Sequence, residues 1–288
     1  MKRFSIFTFI AFGLVACNWD EGLDVDSDAG SDAAQEELPL IITFIDVWQG
    51  DSSLFELPDG RVILIDGGDE GYGTSSVIPV LDAKQIDTID LMVLTHPHAD
   101  HCCGLDEIMN HVTVLEIWDN GEANDTNSYD GYVVARDNES ANPLVPARDY
   151  SVSFGEVSAT VMHVDEGYED FNNDSIAIMF SYRNVKILTT GDVEREAQED
   201  MLFLYGSALA CDVLKVPHHG SSDFHESFVL YSSPQHAVIS SGTGNQYGHP
   251  HQESLDAYNG IGAVICRTDQ IGTVEFTTDG TSIETNCN

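Results

Sequence analysis

Four side chains able to bind a metal fall within six positions, His96-Pro97-His98-Ala99-Asp100-His101, directly after the apolar run 91–95. Imidazole and carboxylate suit zinc and similar divalent ions. Alternate residues in an extended turn can point two ligands at one ion and two at a neighbour. Three later segments repeat the theme. Thr190-Gly191-Asp192 closes an apolar run with an acid that could bridge two ions, Pro217-His218-His219-Gly220-Ser221 follows 212–216, and Gly248-His249-Pro250-His251 lies beyond 237–240. A lone histidine is an ordinary surface residue. Three histidine-bearing strand ends and one aspartate-bearing end, in loops where sites are usually built, point to one centre. The chemistry open to such a centre is metal-assisted hydrolysis, in which two ions roughly 3.5–4 Å apart would lower the pKa of a bound water and clamp the attacked group.

Strands and helices must bring these ends together. Short β-rich runs at 41–47, 53–57 and 61–65, separated by Gly and Asp turns, predict an antiparallel meander. A helix is expected over 74–84 and a strand over 91–95. Further strands are expected at 112–118, 158–164, 175–182 and 185–190, then a helix over 193–205. Strand and helix continue to alternate: a strand at 212–216, a helix after Asp223, a strand at 237–240, a helix after His251, and closing strands within 263–284. Residues 119–149 read as irregular, an insertion near the site mouth.

The chain has 288 residues, 42% of them hydrophobic, enough for one globular domain with a real core. Its 49 Asp and Glu against 11 Lys and Arg give a formal charge of −38, which excludes adhesion to polyanions through a basic surface. The N-terminus reads as an export signal: Lys2 and Arg3, an apolar stretch to Ala16, then Leu14-Val15-Ala16-Cys17, too short to span a bilayer. Those small residues resemble a bacterial lipobox with Cys17 as the lipidation site; an ordinary secretory signal is the alternative. Residues 18–38 hold eight acidic side chains and no basic one, so they read as a solvated tether. The expected organisation is therefore a lipoprotein signal peptide (1–17), an acidic linker (18–38) and a catalytic domain (39–288). This makes an exported bacterial lipoprotein of the cell envelope or extracellular surface, touching the membrane through its lipid only. Of the cysteines left after Cys17, Cys266 and Cys287 are expected to clip the C-terminal hairpin. Cys102 and Cys103 are expected to be small packing residues beside the site, with a redox-active pair as the alternative.

Over residues 40–285 the chain resembles the metallo-β-lactamase fold hydrolases, and within them the hydrolase domain of the competence protein ComEC. The resemblance rests on Phe44-Ile45-Asp46-Val47-Trp48-Gln49-Gly50-Asp51-Ser52, Leu64-Ile65-Asp66-Gly67-Gly68, the His96–His101 run with Gly104-Leu105, and Asn172-Asn173-Asp174-Ser175. It continues through Thr190-Gly191-Asp192, Val213 to Ser221, Tyr247-Gly248-His249-Pro250 and Arg267-Thr268-Asp269. It implies an α/β fold, a four-layer αββα sandwich with two divalent ions, zinc or manganese, at the sheet edge.

Carried over by motif, His96 and His98 look like ligands of the first ion, Asp100 and His101 of the second, and Asp192 the bridge, so that Asp100 and Asp192 are part of the catalytic centre. A further histidine ligand would be His163, unless that is only a strand residue. The last ligand is His218, His219 or His249. His218 is preferred, which leaves His219 and His249 to contact substrate oxygens or protonate the leaving group. Asn172, Asn173 and Ser221 are expected to contact substrate, and Asp46 and Asp66 to orient ligands or satisfy turns. Two positions depart from the subfamily: Trp48 stands where Gly is usual, and His98 where Asp is frequent. The function implied is hydrolysis of phosphodiesters, in a small molecule, a cell-wall component or DNA. The alternatives are hydrolysis of a β-lactam, lactone or thioester, or a surface lipoprotein that binds metal without turnover.

Overall fold

The computed structural model describes residues 38–287 apart from 140, 142, 165 and 166. The expected signal peptide, Cys17 and all of the linker but Leu38 lie outside the described residues. Two sheets carry the fold. In the first the spatial order is Ile283–Thr285, Val274–Thr278, Leu40–Phe44, Ser53–Glu56, Val62–Ile65, Leu91–Val93, Ile117–Trp118 and Pro143–Leu144. In the second it is Val264–Arg267, His236–Ile239, Val213–Lys215, Val185–Thr189, Ala177–Tyr182, Val157–His163 and Ser151–Phe154.

Side chains alternate across each strand. Ile178 and Phe180 point into a core shared with Ile42, Phe44, Phe55 and Ile63 of the other sheet, where Phe55 and Phe180 stack at 4.3 Å. Their neighbours Ala177 and Met179 face outward onto Ala197, Met201, Phe228 and Tyr258, from the helices Arg195–Tyr205, Glu226–Ser232 and Gln252–Gly260. On the first sheet Val62 and Leu64 likewise meet Val77, Leu81, Leu105, Ile108 and Tyr132. Away from edge strands such as Pro143–Leu144, Ser151–Phe154 and Ile283–Thr285, both faces of the sheets are buried, which is why the central strands read as continuous apolar runs. The four layers are helix, sheet, sheet, helix, as expected.

The direction of the strands gathers the site. Val185–Thr189, Val213–Lys215 and His236–Ile239 run parallel, and Val62–Ile65 runs parallel to Leu91–Val93. Parallel strands deliver their C-terminal loops to one edge, where open α/β sheets keep their ligands.

Several expectations need correction. The stretch 119–149 contains the helix Asn127–Asn138, started by Thr126, whose Oγ1 accepts the Tyr129 amide at 3.3 Å. Its buried residues Tyr129, Tyr132 and Ala135 recur every third position, but Gly131 and the polar residues between them weaken the pattern. The expected strand 112–118 is two, Thr113–Val114 and Ile117–Trp118, the first pairing Thr88–Ile89 in a separate ribbon. Cys266 and Cys287 do form a disulfide. It ties Val264–Arg267 of the second sheet to the chain leaving the first, rather than closing one hairpin.

Candidate metal centre

The first motif is half extended and half helical. His98 is extended (φ −75°, ψ 151°) and precedes the short helix Ala99–Cys102, so Asp100 and His101 project from a helical turn rather than alternating along the extended chain. The strand before it stops because the Thr95 amide donates to Asp66 Oδ1 at 2.8 Å instead of continuing the ladder. At Asp192 the close approach requires glycine: a Cβ on Gly191 (φ +51°) would meet Ser175 at 2.9 Å and Thr95 at 3.0 Å.

Three imidazoles converge with one ring nitrogen held and the other turned inward. His96 Nδ1 lies 3.1 Å from Thr95 Oγ1 and 3.2 Å from Ser175 Oγ. His101 Nδ1 lies 2.8 Å from Asp66 Oδ2. His219 Nδ1 donates to the Ser240 carbonyl at 2.9 Å and sits 3.3 Å from Asp51 Oδ1. Such partners fix the ring orientation of metal-binding histidines. Facing inward, His96 Nε2 is 3.0 Å from His98 Nδ1, and His101 Nε2 is 3.3 Å from Asp192 Oδ2. His219 Nε2 is 3.3 Å from both Asp100 Oδ2 and Asp192 Oδ2.

Four overlapping ligand groups result among the described residues: His96–His101–Asp192, Asp100–His101–His219, Asp51–Asp192–His219 and Asp51–Asp66–His101. Buried His101 Nε2, His219 Nε2 and Asp192 Oδ1 have no hydrogen-bond partner. Unsatisfied buried polar atoms are costly, and a divalent cation with nitrogen and oxygen ligands would satisfy all three. The residues fit the metals that the sequence implies.

Electrostatics agree. Burial alone would favour neutral His101 and His219, but Asp192 with Asp66 acts on the first, and Asp192 with Asp51 and Asp100 on the second. These carboxylates hold both pKa values well above the ordinary one. Burial resists ionisation of Asp192 too, yet His219, His101 and His218 bring it well below the usual carboxylate range. His96 goes the other way: burial and the charge on His101 push it well below, leaving a neutral ligand. This cage of carboxylates attracts positive charge.

The sequence-predicted residues separate into those the centre gathers and those it does not. His96, Asp100, His101 and Asp192 come together in the ligand groups, and His98 lies beside them on the cavity wall, its Nδ1 3.0 Å from His96 Nε2, without entering a group. His163 does not join them: its Nε2 lies 2.6 Å from the Asn173 carbonyl, and it belongs to no ligand group among the described residues. The preferred last ligand changes as well. His219, not His218, reaches Asp100 and Asp192, whereas His218 Nε2 stays 3.9 Å from Asp192 and its Nδ1 is 2.9 Å from Glu194 Oε1. Both have left-handed backbones (φ 45° and 52°), a conformation uncommon outside glycine, and it turns the adjacent rings to different tasks.

His218 and His249 line a cavity of about 360 Å³ over the centre with Gln49, His98, Asp100, Asn124, Asn172 and Tyr247. Burial and the neighbouring histidines lower the His249 pKa to about 4, so its ring is neutral near pH 7. Asn172 joins the cavity wall, its Nδ2 donating to Glu194 Oε1 at 3.0 Å. Asn173 instead accepts the Glu194 and Ala197 amides at the start of helix Arg195–Tyr205, and Ser221 Oγ accepts the Asp223 amide in a turn. Neither lines the cavity. Asp66 orients His101 as expected, while Asp46 Oδ1 accepts the Trp48 amide in a turn. Trp48 covers Gly242 and donates to the Thr243 carbonyl at 3.3 Å, beside the cavity rather than in it.

The sequence assigns no role to Asp51, Lys215 or Glu194, although the first two fall within its motifs. Asp51 is ion-paired to Lys215 beneath His219, with both side chains buried. The available signal was Lys215 itself, a cation in the otherwise apolar run Val213-Leu214-Lys215-Val216 that leads to the histidine pair.

The model of the metallo-beta-lactamase superfamily matches residues 45–242, a span that contains every candidate ligand above. The chain belongs to the metallo-beta-lactamase superfamily. It is 29% identical over 264 residues to ComE operon protein 3 of Bacillus subtilis (strain 168), covering 82% of this chain and 32% of that protein. To competence protein ComA of Neisseria gonorrhoeae it is 27% identical over 245 residues, covering 84% and 33%. The chain thus spans about a third of the length of these curated relatives. Among solved structures, the metallo-beta-lactamase fold protein YhfI from Bacillus subtilis superposes with a TM-score of 0.54 at 12% identity, covering 86% of this chain and all of that one. Tm1679, a metal-dependent hydrolase of the beta-lactamase superfamily, gives 0.51 at 13% identity, with 79% and 95% covered. Superfamily membership and the ligand groups together fit a metal-dependent hydrolase fold whose His and Asp side chains suit divalent ions.

Proposed function

We propose that the chain is a phosphodiesterase for small substrates, using two divalent ions held around Asp192. The observation that carries this reading is the convergence of His96, His98, Asp100, His101, Asp192 and His219 beneath a cavity whose other wall offers His218, His249 and Asn172. Bound there, the ions would lower the pKa of a water and polarise a phosphoryl oxygen. The protein does the rest. Asp66, Asp51 and Ser175 hold the ligand rings in place. His218, steadied by Glu194, and His249 face the space over the centre, where an imidazole N–H donates to a phosphoryl oxygen or to the departing oxygen.

Electrostatics favour a short substrate over a long polyanion. The grooves beside the cavity are lined by Glu122, Glu169, Asp170, Glu194, Glu196 and Asp223, with Arg195 among the same residues. Such a wall repels a polyphosphate backbone over a Debye length of about 8 Å at physiological salt. Turnover of bis-p-nitrophenyl phosphate by metal-replete protein should therefore greatly exceed cleavage of duplex DNA, and moderate salt should improve the DNA reaction. Efficient DNA degradation at low salt would overturn the small-substrate reading. Hydrolysis of nitrocefin with none of bis-p-nitrophenyl phosphate would overturn the phosphodiester one.

The lipobox-like Leu14-Val15-Ala16-Cys17 and the acidic residues after it support export, with attachment to the envelope through a lipid on Cys17.

A further inference from the structure

Cys102 and Cys103 follow the ligand His101 directly, and the centre does not use them. Their sulfurs lie 2.8 Å apart, well inside the ~3.5–4.0 Å at which even non-bonded carbons rest. Both side chains are buried. The next residue, Gly104, packs so tightly on Gly67 that a Cβ there would lie 2.0 Å from its carbonyl oxygen, which leaves this turn little room to move. Cys211 is accounted for elsewhere, its Sγ directed at the Ser232 carbonyl. The Cys266–Cys287 bridge places the chain among proteins whose thiols are oxidised.

We propose that Cys102 and Cys103 are a modification site, joined in the mature protein by a disulfide between adjacent residues. The oxidant is a disulfide-bearing molecule or protein, acting before this turn is packed. One cysteine sulfur attacks the oxidant's disulfide, forming a mixed disulfide and expelling one thiol. The second cysteine then attacks the mixed disulfide and expels the other thiol. In total the two cysteines lose two hydrogens, and the oxidant's sulfur–sulfur bond is reduced to two thiols. Adjacent Cα atoms are about 3.8 Å apart, below the ~4.4–6.8 Å usual for a disulfide. The closed ring must therefore twist the intervening peptide, and it should open under milder reduction than Cys266–Cys287.

The full chain, produced by export through an oxidising compartment, is denatured without reductant, alkylated with iodoacetamide, digested and weighed. Molecules with Cys266–Cys287 closed are the reference. The proposal expects Cys211 labelled, and the Cys102–Cys103 peptide unlabelled and two hydrogens lighter than its dithiol. Both cysteines should label after mild reduction that leaves Cys266–Cys287 intact. In Cys103→Ser, Cys102 should label without reduction. Label on either Cys102 or Cys103 before reduction, in unmutated molecules whose Cys266–Cys287 bridge is closed, overturns the proposal.

Discussion

Lys215→Met should destabilise the fold measurably while removing no candidate metal ligand. Lys215 is 2% exposed and ion-paired with Asp51, itself 3% exposed, and its Nζ also donates to the Val216 carbonyl at 3.1 Å. Truncating one partner of such a pair strands the other charge, at a cost of about 3–5 kcal/mol. Part of that cost is offset because Asp51 Oδ1 is also 3.3 Å from His219 Nδ1, and His219 is pulled towards its charged form by Asp192, Asp51 and Asp100 against the effect of burial. The lower end, about 3 kcal/mol, is the better expectation. For a domain of this size it lowers Tm by about 6–12 °C. Asp51→Asn combined with Lys215→Met removes both charges, so the double variant should lose much less than the sum of the singles. Thermal unfolding of the four proteins, each with chelator and with zinc, completes the cycle. Additive single losses would refute the idea that Lys215 acts by neutralising Asp51.

Other outcomes follow from the same geometry. His219→Ala should lower metal content after metal-replete purification, whereas His163→Ala should leave it unchanged; elemental analysis distinguishes them. Asp192→Ala should abolish turnover of bis-p-nitrophenyl phosphate with little change in far-UV circular dichroism, because the centre sits at a sheet edge rather than within the hydrophobic core. Metal affinity should rise with pH: against burial, the carboxylates around His101 and His219 raise their pKa values, so binding must displace protons that become easier to remove as pH increases. Titration calorimetry in buffers of different ionisation enthalpy would show that proton release. Cys17→Ser should move the full chain from the membrane fraction to the soluble one; equal membrane fractions would refute lipid attachment.

The sequence was most legible where chemistry is dense over a short span. His96 to His101 and Asp192 could be picked out because each follows an apolar strand directly, and parallel strands bring those ends to one edge. What could not be read depends on backbone detail. Choosing between His218 and His219 requires the left-handed conformation of both residues, which leaves no trace in hydrophobic periodicity. His163 looked like a ligand by its order along the chain, but the strand register shifts between Val161 and His163, and its ring meets the Asn173 carbonyl. Asn173 looked like a pocket residue from its motif, yet its oxygen caps a helix, a role that asparagine fills readily. The helix Asn127–Asn138 was hidden by its central Gly131 and its largely polar surface.

The central claim, two ions sharing Asp192, is tested most directly by anomalous diffraction from crystals grown with zinc or manganese. The account predicts two peaks roughly 3.5–4 Å apart. One should lie by His96 and His98, the other by Asp100, His101 and His219, with Asp192 in contact with both. A single peak, or density away from Asp192 in metal-replete crystals, would contradict it.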